Sequence, residues 1–150
     1  MGRRTLNERR IISDACVAEG AAWLCQHEPR FAAAMQGLPP LPLRLKPEGF
    51  AELFSAIVSQ QVSVASANAI WCKLQTAGMV TPLAVASATE VRLRELGLSG
   101  QKVRYAHALA RAQIDYAALR DLSANEAIKT LTAVSGIGPW TAEIYVMFAL

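Results

Sequence analysis

Leu131 to Leu150, LTAVSGIGPWTAEIYVMFAL, holds the residues whose types and spacing best suit chemistry. Gly136 and Gly138 bracket one apolar residue, Ile137, and Pro139 follows where a helix's first turn should begin. Both glycines can adopt positive φ and expose their amides with no Cβ in the way. Pro139 suits the first helical position, because the N–H it lacks would have no partner inside the helix. Ile137 can point inward and pin the turn to a core. The expected product is a tight turn with several N–H groups directed outward at a helix N-terminus. That is a small anion site, suited to a phosphate. Contacts of this kind position a polyanion without reading its sequence. A bare Gly-x-Gly is more often a simple turn between helices, so the surrounding spacing has to decide.

The elements that would position this turn are helices. Apolar residues recur at helical spacing from about Asn7 to His27, and Pro29 opens a short second helix through Met35. Gly37 to Glu48 is a proline-rich connection that excludes helix, and its leucines suggest a loop packed on the core. Phe50, Leu53, Phe54, Ile57 and Val58 form one stripe of a helix that breaks near Gln60-Gln61-Val62, and Ser63 is a plausible N-cap for the next. Ala65, Ser66, Ala67 and Ala69 permit close packing there. Thr81-Pro82 starts a short helix, and Ser87-Ala88-Thr89-Glu90 and Ser123-Ala124-Asn125-Glu126 both have capping-box spacing. Gly97 should end a helix in a left-handed conformation, and Ser99 should cap one carrying Val103, Tyr105, Ala106, Leu109 and Ala110. No stretch alternates like a strand. The chain should be all-α, a single domain over residues 1–150, with helices in 1–36, the connection in 37–49 and a core in 50–150.

Composition sets the outer limits. The chain has 150 residues, 53% hydrophobic and 18% charged, which excludes disorder. No apolar run approaches the roughly 18 residues of a membrane helix, and no secretory signal is visible. A net charge of +3 is compatible with a polyanionic partner without requiring one. Arg3, Arg4, Arg9 and Arg10 could meet phosphate, although a solvated N-terminus explains them more simply. Cys16, Cys25 and Cys72 show no paired spacing; they suggest reduced thiols in the cytoplasm and no metal site. His27 and His107 read as ordinary surface or packing histidines.

The spacing L-x-x-V-x-G-I-G-x-x-T-A resembles the helix-hairpin-helix motif. Phe50 to Leu74, with its Gln-Gln-x-Ser junction, looks like the helix pair that precedes the hairpin in helix-hairpin-helix DNA glycosylases. Gly97 to Ala110, with Gly97 and Lys102, resembles their glycine-then-lysine segment. Within that superfamily the match is closest to the alkyladenine (3-methyladenine) type. It covers about Pro42 to Leu150 in a compact form, with no sign of an additional N-terminal β-domain.

The resemblance implies an enzyme that swings a damaged base out of double-stranded DNA, at a cost of a few kcal/mol, and hydrolyses it from its sugar. It carries DNA contact to Gln60, Gln61, Ser63, Gly136, Ile137, Gly138 and Thr141, with Gln61 entering the vacated space. Capping of the broken helix is the alternative for the two glutamines. Members that also cut the backbone carry a nucleophilic lysine at the position of Trp140, so this chain should be monofunctional and use water. An alkylated purine is cationic, and an indole face attracts a cation by up to about 2 kcal/mol when desolvated. Trp140 is therefore expected in the base pocket, with a buried core position as the alternative. Tyr145, roughly 140° around the helix from Trp140, could equally reach the pocket or pack in the core.

The family places its catalytic aspartate beyond the second hairpin helix. Asp14, Asp115, Asp121 and Glu143 do not match that position, so no catalytic residue is named and the carboxylate is expected beyond Leu150. On this reading the sequence is C-terminally incomplete and should bind DNA without releasing alkylated bases at an enzymatic rate. No cofactor is expected, an iron–sulfur cluster further along is left open, and a monomer is expected. The competing reading is a non-catalytic helix-hairpin-helix DNA-binding module.

Overall fold

The computed structural model describes residues 10–150, and every described element is a helix. Arg3, Arg4 and Arg9 lie outside the described residues. The chain resolves into two compact units, residues 10–45 and Lys46–Leu150, where sequence reasoning takes a single domain.

The first unit holds α1 (Asp14–His27) and α2 (Pro29–Met35). Sequence periodicity suggested a helix from about Asn7. Instead Ser13 begins it, in extended conformation, with its Oγ accepting from the Cys16 N–H at 3.3 Å. Glu28 caps α2 by accepting from the Arg30 N–H, and Pro29 takes the first position. Trp23 stacks on His27 with ring centroids 4.0 Å apart. No residue of either helix is buried. Leu38, Leu41 and Leu45 of the proline-rich connection are exposed as well, and Leu43 is half-buried.

The core belongs to the second unit. It is built from α3 (Phe50–Ser59), α4 (Val64–Thr76), α5 (Pro82–Ser87), α6 (Glu90–Glu95), α7 (Gly100–Arg111), α8 (Tyr116–Leu119), α9 (Ala124–Thr132) and α10 (Pro139–Ala149). The whole stripe Phe50, Leu53, Phe54, Ile57 and Val58 of α3 is buried, packed with Leu74, Leu93, Val103, Leu109, Leu131 and Ala142. Each of those side chains contributes about 1.5–3 kcal/mol on burial if large and apolar. Of the small residues in α4 only Ala67 is buried; Ala65, Ser66 and Ala69 face out.

Hydroxyl caps set where these helices start: Ser63, Thr81, Thr89, Ser99 and Ser123 each accept from a first-turn amide. Ser123 and Glu126 form the expected capping box. The second expected box does not form, because Ser87 still belongs to α5 and bonds back to the Leu83 and Ala84 carbonyls. Thr89 caps α6 in its place. Gly97 ends α6 at φ 109° as expected.

Candidate nucleic-acid interface

The hairpin joins α9 to α10. The Ile137 N–H bonds to the Val134 carbonyl at 3.1 Å, and the Ile137 side chain is buried, so the turn is anchored by its apolar middle residue. Gly136 takes φ 96°. Gly138 does not share that conformation: at φ −82°, ψ 169° it is the extended N-cap of α10, and Pro139 starts the helix. The expectation of positive φ at both glycines is therefore corrected at Gly138. The Trp140 and Thr141 amides are first-turn donors with no carbonyl behind them, at the positive end of an 11-residue helix.

An open cleft of about 730 Å³ lies against the hairpin, between Gln60, Gln61, Tyr105, Gly138, Trp140 and Thr141. Two elements close its inner wall. The Gln60 amide Nε2 donates to the Gly136 carbonyl at 2.9 Å. The Tyr105 ring packs under Gly136, and Gln101 Nε2 donates to the Tyr105 hydroxyl at 2.6 Å. Gln61, exposed, takes φ 55°, a left-handed backbone rare for a residue with a side chain.

A smaller cleft of about 320 Å³ lies against the same Gln60-Gln61 turn, lined also by Gly97, Ser99, Lys102 and Tyr105. Here the Lys102 ammonium donates to the Val58 carbonyl at 2.6 Å, and burial holds its pKa below the usual lysine value. Tyr105 forms part of both walls.

Residues 54–144 match the HhH-GPD superfamily of base excision DNA repair proteins. The chain belongs to that superfamily. A curated relative, DNA-3-methyladenine glycosylase 1 of Schizosaccharomyces pombe, is 31% identical over 114 residues, 70% of this chain and 50% of that protein. The chain thus spans about half the length of that relative. A crystal structure of DNA-3-methyladenine glycosidase from Bacillus halodurans superposes with a TM-score of 0.74 at 30% identity, covering 87% of this chain and 63% of that one. A 3-methyladenine DNA glycosylase of S. pombe in complex with abasic DNA gives 0.74 at 28% identity, covering 88% and 70%. The all-helical HhH-GPD fold expected from the sequence is the fold observed.

Within the HhH-GPD frame the expected site residues separate. Gln60, Gln61, Gly136, Ile137, Gly138, Trp140 and Thr141 come together around the larger cleft. Thr141 lies there although its side chain is largely buried. Trp140 is 71% exposed, so it is not a core residue. Ser63 is committed to capping: its Oγ accepts from the Ser66 N–H at 3.2 Å and donates to the Ser66 hydroxyl. Tyr145 leaves the site altogether. It is 4% exposed, packed in the core, and its hydroxyl accepts from the Gly49 N–H at 2.7 Å. Burial, together with the nearby carboxylates Glu48 and Glu52, raises its pKa against the lowering by that bond.

Among the described residues no carboxylate lines the cleft. Asp115 caps α8 through the Ala118 N–H, and Asp121 and Glu143 are exposed. Among the described residues no group of three His, Cys, Asp or Glu side chains could hold a metal ion, and no helix is long and apolar enough to cross a membrane.

Sequence reasoning missed two residues of the site. Tyr105 read as one apolar position among several on α7, and Lys102 was noted only for its motif.

Proposed function

We propose that this chain is a monofunctional DNA glycosylase of base excision repair. It hydrolyses the N-glycosidic bond of alkylated, 3-methyladenine-like bases flipped out of double-stranded DNA. It acts as a monomer, in the cytoplasm, on the nucleoid in a bacterial cell. The observation that carries this reading is the sharing of one cleft by the α10 N-terminus, the exposed Trp140 face and the left-handed Gln61.

Each part has a physical task. The hairpin amides take a backbone phosphate, so duplex affinity falls steeply with salt as counterions are released. Gln61 fills the space the target base leaves, and Gln60 braces the turn on the Gly136 carbonyl. The Trp140 indole receives the cationic base. Water then adds to C1′ of the sugar and loses a proton, while the glycosidic electron pair moves to the base and cancels its charge. The leaving group departs neutral and needs little acid assistance. Trp140 cannot form an imine, which supports hydrolysis by water rather than strand cleavage.

The test is release of 3-methyladenine from methylated duplex DNA by the full protein that carries this sequence. Release that Trp140→Ala weakens is the expected result. The second reading, a non-catalytic DNA-binding module, is favoured by the lack of a lining carboxylate among the described residues. Tight, salt-sensitive duplex binding by the full protein with no base release would establish it instead.

A further inference from the structure

The Gln60-Gln61 turn has a helix on either side, and something must stop α3 from running on through it. In an unbroken helix the Val58 carbonyl would receive the N–H of Val62, four residues on. Here that carbonyl receives the Lys102 ammonium instead, at 2.6 Å. Lys102 therefore substitutes for the helical donor at the negative end of α3, and a charge-assisted bond is stronger than the neutral one it replaces. The second restraint comes from the opposite wall, where Gln60 reaches the Gly136 carbonyl. Between these two bonds Gln61 holds φ 55°, a left-handed conformation that is unfavourable for a residue with a Cβ.

We propose that Lys102 is a positioning residue for Gln61: by occupying the Val58 carbonyl it keeps α3 from extending and holds the Gln61 side chain at the mouth of the cleft. Without that bond the carbonyl is freed to take the Val62 N–H. Gln60 and Gln61 then relax toward right-handed helix, and the Gln61 side chain swings away from its present direction. Lys102 is not among the residues that line the larger cleft; it meets that cleft's wall through the Gln60-Gln61 turn. The inference rests on reading Gln61 as the side chain that fills the gap left by a flipped base.

The experiment measures affinity for two duplexes, one intact and one carrying a tetrahydrofuran abasic site. Their ratio reads how well the gap is filled. Lys102→Met, uncharged and of similar length, is expected to lower the preference for the abasic duplex at least fivefold. Its affinity for the intact duplex should stay within twofold. Lys102→Arg, which keeps charge and reach, should restore at least half of the preference. Lys102→Gln carries the same test if the methionine variant does not fold. Gln61→Ala separates the two readings. If it lowers the preference while the neutral Lys102 variants do not, the role of Lys102 is overturned and the reading of Gln61 stands. If Gln61→Ala itself changes nothing, the reading of Gln61 fails and takes this inference with it. Equal loss of affinity for both duplexes, or no rescue by arginine, makes Lys102 a structural residue only and also overturns the proposal.

Discussion

Gly136 and Tyr105 are in contact so close that no side chain fits between them. A Cβ added at Gly136 would stand 2.6 Å from the Tyr105 Cβ and 2.7 Å from its Cδ2, and Gly136 already holds φ 96°. Any other residue there meets left-handed strain of about 1–2 kcal/mol and an overpacking cost of about 1–3 kcal/mol. Gly136→Ala should therefore destabilise the protein by about 2–5 kcal/mol, seen as a lowered thermal midpoint. A midpoint equal to that of the wild type would place the Tyr105 ring elsewhere.

Gly138 predicts the opposite pattern. Nothing lies within 4 Å of a Cβ built there, and its backbone is ordinary extended chain. Gly138→Val should fold normally, with stability changed by no more than about 1 kcal/mol for the altered N-cap. Its branched side chain should instead obstruct close approach of a phosphate to the α10 amides and weaken duplex binding severalfold. Unchanged affinity in the folded variant would remove the hairpin from the DNA interface.

Trp140 stands 71% exposed beside the cleft, so its indole contributes little to stability. Trp140→Ala should leave the melting midpoint unchanged, as surface substitutions usually stay within about 0.5 kcal/mol. Loss of a desolvated cation–π contact worth up to about 2 kcal/mol should lower kcat/KM on methylated DNA by about tenfold or more. Activity should fall less for Trp140→Phe. An alanine variant with full activity would exclude the indole from base recognition.

The sequence revealed most about this molecule where the interaction is local. Ser63, Ser99 and Ser123 are readable as caps because a hydroxyl bonds an amide two or three residues on. The hairpin was legible for the same reason. Gly136 takes the expected positive φ and Gly138 does not, although the signal was present: a residue before proline is driven to extended backbone, and Gly138 precedes Pro139. Tyr145 also carried a usable signal, since it shares a helical stripe with the buried Ala142 and Ala149. What no single sequence discloses is the set of bonds between distant segments. Lys102 on Val58, Gln60 on Gly136 and Tyr105 under Gly136 depend on how α3, α7 and the hairpin converge.

Tyr145 predicts an effect of pH. Its hydroxyl accepts the Gly49 N–H at the start of α3, and burial raises its pKa. Burial also raises that of Tyr116, helped by Tyr145 beside it. A folded-state pKa above the unfolded value, about 10 for tyrosine, means the folded chain holds the proton more tightly. This contribution to stability is complete below pH 10 and is lost as pH rises through the folded values. Thermal midpoints measured from pH 8 to pH 11.5 should fall at the alkaline end, less steeply in Tyr145→Phe. At neutral pH that variant should lose about 1–3 kcal/mol by leaving the Gly49 N–H without a partner. A midpoint indifferent to pH in this range would mean that neither hydroxyl is held neutral by the fold.

Strand cleavage is the sharpest test of how the reaction ends. A glycosylase that also cuts the backbone needs a neutral amine close to C1′ of the flipped nucleotide. An imine then forms, with loss of water or of the base, and β-elimination from it breaks the strand. Added borohydride reduces that imine to a stable covalent adduct. At the cleft the candidate position on α10 is Trp140, and among the described residues no lysine lines the cavity. Lys102, on the far side of the Gln60-Gln61 turn, has its ammonium engaged by the Val58 carbonyl. Borohydride trapping on duplex DNA with an abasic site should therefore yield no covalent adduct, under conditions where binding to that duplex is saturated. Trp140→Lys, which places an amine at the cleft mouth, is the informative control: trapping by this variant and not by the wild type shows that geometry permits the chemistry and only the side chain withholds it. A wild-type adduct that maps to Lys102 would mean that the turn opens on DNA far enough to release the ammonium, and the monofunctional reading would be wrong.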